Sequence, residues 1–399
     1  MSIFAAVMTG KGTGAISTIQ LFGESAEAVL KKIFRPACGE PVEPAGVEKA
    51  FQTGTIHHGT IINTDEVIDE VVIGCEEAGN FAINCHGNPL IVEKIMKLLV
   101  RYGVTPLTSE ELLCKILTSE NPADTIAVEA KLTQAKAKTL EGTKIIMSQI
   151  SAGLTNTAKN WLENIDTVSL DEIRTAAGTI LSKSQTAKLI ISGCTIVIAG
   201  PTNTGKSTLL NRLAGKPKAI VADIKGTTRD WISAECRLDP LLVTLIDTAG
   251  LCDEHQDVVG KISQKKTVQI LEKADLVLLV LDNSAAENHI DHRLLKKIAG
   301  EKIITVLNKS DLPAKFDAAK LPEPLADTAI QISAKFGTGI ENLLLKIKET
   351  LGVVNFNSKR PVCFTARQEK LLKQLQKIKS KKQAISFITE LLNGQIKSL

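Results

Sequence analysis

The chain has 399 residues, 44% hydrophobic and 23% charged, enough for two or three domains with their own cores and outside the range of disordered or fibrous chains. A net charge of +4 is too slight at this length for a strong non-specific nucleic-acid field, and 3% aromatic content with one tyrosine argues against a base-stacking platform, so any RNA contact would rest on shape and phosphates. Eight scattered cysteines (Cys38, Cys75, Cys85, Cys114, Cys194, Cys236, Cys252 and Cys363) form no C-x-x-C pair, and neither a leader nor an apolar run of membrane-spanning length is present; a cytoplasmic protein with reduced core thiols and no integral membrane association is expected.

Residues 1–118 are expected to form an α+β domain, with strand patterns at 15–22, 54–59, 67–74 and 81–85 and a one-faced helix at 90–100. Residues 119–192 turn helical, with helix formers at mixed three- and four-residue apolar spacing over 123–154 and again over 169–189. Residues 193–352 alternate apolar strands with polar loops. Residues 353–399 return to helix over 365–398, with Leu371, Leu372, Leu375 and Ile378 on one side and Lys370, Lys373, Lys377, Lys379, Lys381 and Lys382 opposite. A solvated face is the commoner meaning of such a lysine run, and RNA contact the sharper one.

Within 193–352 the β-branched run Thr195-Ile196-Val197-Ile198-Ala199 feeds Gly200-Pro201-Thr202-Asn203-Thr204-Gly205-Lys206-Ser207-Thr208, which fills the pattern G-x-x-x-x-G-K-[ST], and a helix follows over 207–213. Glycines let backbone N–H groups curl around phosphate oxygens, Lys206 reaches the β- and γ-phosphates, and Ser207 ligates Mg²⁺. The strand at 241–246 ends in Asp247-Thr248-Ala249-Gly250, where an acid holds Mg²⁺ through water and a glycine amide faces the γ-phosphate. After the strand at 303–307 comes Asn308-Lys309-Ser310-Asp311. The Asp311 carboxylate accepts from N1–H and the 2-amino group of guanine, two donors that adenine lacks. Ser333-Ala334-Lys335 then fits the loop that backs the guanine carbonyl. Four motifs in this order, each at a strand end, specify a GTPase of doubly wound, mostly parallel sheet.

Between the phosphate loop and Asp247 lies Gly226-Thr227-Thr228-Arg229-Asp230, in the place of the first switch. This block resembles the bacterial GTPases that include Era, EngA and MnmE. With Ala219-Ile220-Val221-Ala222-Asp223-Ile224 before it and Asp247-Thr248-Ala249-Gly250-Leu251 after it, the chain is most similar to the MnmE (TrmE) family of tRNA modification GTPases. The resemblance implies an N-terminal domain, here 1–118, that binds formyl-tetrahydrofolate and makes a homodimer, and a helical domain, 119–192 with 353–399, into which the GTPase domain is inserted. It implies K⁺ bridging the phosphates through Asn203 and the Ala222, Ile224 and Thr227 positions, with Thr228 on Mg²⁺. Lys206, Thr228, Asp247 and Gly250 are then the catalytic set. It implies tRNA wobble-uridine modification with the FAD-containing partner MnmG; a regulatory GTP switch or a weakly active paralogue without tRNA chemistry is the alternative. Ile83-Asn84-Cys85-His86-Gly87 also resembles that family.

The departures are specific. The family ends in a C-x-G-K motif, whereas this sequence ends Gly394-Gln395-Ile396-Lys397-Ser398-Leu399. Gln20 replaces an arginine of an R-[IV]-S-G turn, and later folate-domain segments have no counterpart in 105–124, so the charged partners of the folate carboxylates are missing. Leu251 follows Asp-x-x-Gly where Ras-type enzymes carry a water-orienting glutamine. The family's switch glutamate falls on Val259, with Asp253, Glu254 and Asp257 nearby, so slow hydrolysis is expected.

Overall fold

The computed structural model describes residues 2–10, 12–37, 51–120, 124–215, 232–247, 270–271, 273–287 and 302–394. The chain divides into two compact units, 1–128 with 395–399 and 129–394.

The first unit is built on a seven-stranded sheet ordered β3-β4-β5-β6-β2-β1-β7, from β1 (Ile3–Val7), β2 (Ile16–Phe22), β3 (Phe34–Pro36), β4 (Ile56–Asn63), β5 (Glu66–Glu77), β6 (Asn80–His86) and β7 (Val104–Pro106). Neighbours are antiparallel except for the parallel pair β1–β7. Alternation drives it: Ile19 and Leu21 of β2, Ile73 of β5 and Phe81 and Ile83 of β6 point to one buried face. Helices α1 (Ala26–Ile33) and α2 (Pro89–Arg101) cover that face with Leu30, Ile33, Ile95 and Leu99. Pro89 at the first turn and the Asn88 side chain, which accepts from Leu90 N–H, start α2. A third helix, α3 (Ser109–Glu120), packs Leu112 and Ile116 on Ala6 of β1. All four strands expected from the sequence are present, and β1, β3 and β7 are additional.

The second unit joins helices to a nucleotide-type sheet. The helical stretch expected over 123–154 is broken into α4 (Thr125–Gln134), α5 (Leu140–Ser151) and the start of α6 (Leu154–Glu163). Thr139 ends the continuity, since its hydroxyl accepts from Gly142 N–H and donates to the Ile190 carbonyl, an N-cap that helix propensity does not reveal. A capping box of Ser169 and Glu172 opens the long α7 (Leu170–Ser192).

The sheet is ordered β13-β12-β11-β8-β10-β9, from β8 (Cys194–Ala199), β9 (Ile232–Leu238), β10 (Leu241–Asp247), β11 (Leu276–Asp282), β12 (Ile303–Asn308) and β13 (Ile330–Gln331). Every pair is parallel except β9–β10. β11 reads as an unbroken apolar run because both of its faces are covered. Leu276, Leu278 and Val280 join a core with Leu209 and Leu213 of α8 (Lys206–Ala214) and Leu343 and Ile347 of α10 (Ile340–Leu351). Leu279 and Leu281 face Leu325 of the short α9 (Glu323–Ala326). The first of these cores continues into Ile145, Ile146, Ala187 and Ile190, so helices and sheet share one interior.

The expected helix at 365–398 is two helices, α11 (Ala366–Leu375) and α12 (Lys381–Asn393), separated where Ser380 caps the second. Leu371, Leu372, Leu375 and Ile378 are buried as expected, and the six lysines are exposed. Among the described residues no helix is long and apolar enough to cross a membrane.

Candidate functional site

The order of the sheet places β8 between β10 and β11, where the strand order reverses, and open α/β sheets bind ligands beyond the carboxyl ends of the strands at such a point. The predicted motifs with described residues all start there: the phosphate loop after β8, Asp247 ending β10, Asn308 ending β12 and Ser333 just beyond β13.

The loop is shaped by close approach. Gly200 has φ +142°, and a Cβ on it would lie 2.1 Å from the Val280 carbonyl oxygen. Gly205 has φ +91°, and a Cβ there would lie 2.3 Å from Asn308 Nδ2. Neither position admits a side chain. Asn203, also left-handed at φ +60°, is exposed on the loop. Lys206 is buried, with its ammonium 2.6 Å from the Pro201 carbonyl, and Thr204 Oγ1 donates to the same carbonyl. The loop thus holds its lysine over its own curve, at the N-terminus of α8.

Ser207 Oγ donates to Asp247 Oδ2 at 2.6 Å, and Asp247 is only 2% exposed. These hard oxygens fit Mg²⁺. Among the described residues no group of three or more His, Cys, Asp and Glu side chains is placed to hold a metal.

On the base side, Asn308 acts as a stitch. Its Nδ2 donates to the Thr204 carbonyl at 2.7 Å and its Oδ1 accepts from Ala334 N–H at 2.9 Å, which ties the phosphate loop to the Ser333-Ala334-Lys335 loop. Asp311 is exposed and its Oδ1 accepts from Ser333 Oγ at 2.5 Å. Ser333, read from sequence as part of the loop behind the base, therefore also orients the carboxylate expected to meet the base. Lys335 lies with its ammonium 5.1 Å from the Phe336 ring centroid.

Two contributors escaped the sequence reading. Asp282, the last residue of β11, pairs with Lys309 Nζ at 2.6 Å and accepts from the backbone and hydroxyl of Ser284. Burial alone pushes the Asp282 carboxyl up, but the hydrogen bonds from Lys309 and Ser284 outweigh it and hold the group below the usual carboxylate range. Lys309 has φ +66°, a conformation in which the carboxylate helps to hold it. Arg212 of α8 donates to the carbonyls of Ala334, at 2.9 Å, and of Lys335. An acid ending an apolar strand was a readable signal for Asp282, whereas Arg212 had none beyond its place in the last turn of α8.

Thr208 follows Ser207 in α8 and is exposed. Thr248, Ala249 and Gly250, the first-switch positions Ala222, Ile224, Thr227 and Thr228, and Leu251, Asp253, Glu254, Asp257 and Val259 lie outside the described residues.

A glycine-rich loop with a buried lysine after β8, a serine–aspartate contact beside it and an Asn-Lys-x-Asp segment after β12, all at one sheet edge, are the arrangement of a P-loop GTPase. Residues 195–309 match the model of the 50S ribosome-binding GTPase family. The tRNA modification GTPase MnmE of Enterococcus faecalis is 31% identical over 381 residues, 86% of this chain and 80% of that protein. The MnmE of Thermotoga maritima is 29% identical over 409 residues, 94% of this chain and 88% of its own. Among solved structures, the G domain of the T. maritima FeoB iron transporter matches 39% of this chain and 98% of its own at 28% identity, with a TM-score of 0.32. The chain belongs to the MnmE family of tRNA modification GTPases.

Proposed function

We propose that this protein binds GTP, hydrolyses it, and uses the cycle in modification of the tRNA wobble uridine. The observation that carries the nucleotide assignment is the Asn308 bridge, which puts the Asp311 carboxylate and the phosphate loop in one fixed frame. With nucleotide bound, Lys206 would exchange its carbonyl contact for phosphate oxygens, and Ser207 and Asp247 would hold Mg²⁺. Mg²⁺, when bound, neutralises charge on the phosphates. The γ-phosphate orders the switches and its loss releases them, which is the conformational output. Asn203, exposed on the loop, is the described member of the K⁺ set with Ala222, Ile224 and Thr227; Thr228 joins Ser207 on Mg²⁺. Lys206, Thr228, Asp247 and Gly250 make up the catalytic set.

The nucleotide domain is an insertion in the helical one: α7 precedes the sheet, α11 follows it, and the two pack together through neighbours such as Gly178 and Gln376. The boundaries 1–118, 119–192, 193–352 and 353–399 remain the proposed division. A cytoplasmic homodimer through the first unit is favoured by its sheet face away from α1 and α2, where Thr18, Val72, Ala82 and Asn84 stand only partly covered or exposed. An MnmG-like FAD protein is the proposed partner.

Folate binding in the relatives' manner is not part of the proposal. Gln20 Nε2 donates to Glu76 Oε2 at 2.8 Å and to Asn80 Oδ1 at 2.7 Å, so its amide is committed to a neighbouring carboxylate where an anion would need a cation.

Two measurements test the reading. Titration with GTP, GDP and ATP should show guanine preference, and equal affinity for ATP would overturn the base assignment. Mass analysis of wobble uridines in a deletion strain should show loss of the modification; unchanged tRNA would leave a GTP switch without tRNA chemistry.

A further inference from the structure

Helices α11 and α12 enclose a groove of about 590 Å³ that the nucleotide site does not use. Lys370, Lys373, Lys377, Gln374, Gln383 and Phe387 line it, with Glu369 as its one acid. Lys370 and Lys373 stand a turn apart on α11, and Lys377 lies just beyond its end. Of these lysines Glu369 pairs with Lys373 alone and leaves Lys370 and Lys377 without an ion-pair partner among the described residues. Lys373 occupies it at 2.5 Å, and that bond, with the charges of Lys373 and of Lys188 on α7, holds its carboxyl below the usual range against the opposing effect of burial.

Lysine density continues around the mouth of the groove. Lys379, Lys381 and Lys382 crowd the N-terminus of α12, whose first turn has no acidic residue. Cations there oppose the helix macrodipole, so the arrangement costs stability until an anion arrives. Lys381 contacts Asp166, through its carbonyl at 2.9 Å. Lys370, Lys377, Lys379 and Lys382 have no ion-pair partner among the described residues.

We propose that this groove receives an RNA strand, with Lys370 and Lys377 on its phosphates and Phe387 against a base. A polyanion follows from the charge. RNA rather than an acidic protein follows from the floor: the half-buried ring of Phe387 offers a stacking face, and Gln374 and Gln383 offer amides to base edges. Gln383 Oε1 is taken by Lys379 N–H at 2.8 Å, so its NH₂ donors are what it presents. A single ring is no platform, which agrees with the scarcity of aromatics in the chain. The choice of RNA rests on the tRNA role proposed above.

The test is anisotropy of labelled unfractionated tRNA titrated with the full chain between 50 and 200 mM salt, for the native protein, Lys370→Ala with Lys377→Ala, Phe387→Leu, and Lys346→Ala with Lys348→Ala on α10 as a control. Losing two phosphate contacts should weaken binding and lower the log–log salt slope by about 1.4, at roughly 0.7 per contact for a single strand. Phe387→Leu should weaken binding about five- to 150-fold with the slope unchanged, the range of one stacked base. GTP turnover should be the same in all variants, which checks folding. An unchanged slope in the lysine pair, or an equal loss in the control, overturns the proposal. So does competition by polyglutamate as strong as by RNA together with no effect of Phe387→Leu, which would assign the groove to an acidic protein. Native protein that binds tRNA through this groove but hydrolyses no GTP would defeat the functional reading and leave the groove standing.

Discussion

Ser333 Oγ holds one oxygen of Asp311, the carboxylate proposed to read guanine, and the contact spans 22 residues of sequence. Replacing the carboxylate by an amide exchanges an acceptor for a donor: Asp311→Asn should lose GTP affinity and gain xanthosine triphosphate affinity, a reversal read by competition binding. Asp282 makes a second residue-scale test. Its folded carboxyl titrates below the ordinary value, so its contribution to stability is complete above about pH 4 and is lost as pH falls through the lower folded value. Asp282→Asn should therefore be less stable than the native chain near neutrality, with the gap closing in acid. A gap that widens below pH 4 would contradict the assigned Lys309 pairing.

Burial pushes the thiols of Cys194 and Cys236 up to about 12 and about 11, so both stay protonated near neutrality.

At the scale of elements, the junction between β8 and α8 depends on the absence of a side chain at Gly205. Gly205→Ala would strain a left-handed residue and push on Asn308 at once, a cost of roughly 1–3 kcal/mol at the site. The expected result is weaker GDP and GTP binding together with a melting temperature lowered by several degrees. Helix packing is decided elsewhere, by Glu129 of α4, which is fully buried. Arg367 grips both of its oxygens, at 2.9 and 2.8 Å, while Thr365 and Gln368 supply further hydrogen bonds at 2.8 and 2.7 Å. Arg367 also donates to the carbonyls of Glu390 and Leu391, so one guanidinium joins α4, α11 and α12. Arg367→Met leaves the carboxylate uncompensated and should destabilise by about 3–5 kcal/mol in denaturant unfolding. Adding Glu129→Leu should restore part of that loss, because both charges are then gone; no restoration would mean that the pair is not the linchpin.

At the scale of the whole molecule, the proposed K⁺ site and homodimer make a test of the cycle. Single-turnover GTP hydrolysis should be faster in K⁺ than in Na⁺, and Asn203→Ala should abolish that difference while most GDP affinity remains. Identical rates in the two ions would remove K⁺ from the site. The sequence by itself determined the nucleotide chemistry, since Gly200 to Ser207 and Asn308 to Asp311 are contiguous segments that recognise ligand through local backbone geometry and neighbouring side chains. It also determined the four N-terminal strands and the burial of Leu371, Leu372 and Leu375, because periodicity reports directly on which face is covered. Only the tertiary structure decided how Arg212 reaches Ala334 across 122 positions, how Lys309 meets Asp282 across 27, and how Arg367 finds Glu129 across 238. Each of those contacts joins separate elements, and neither propensity nor spacing carries information about where two distant elements will pack. The lysines of α11 show both sides: their exposure was readable in the sequence, but the groove that collects them exists only because Ser380 starts a second helix beside the first.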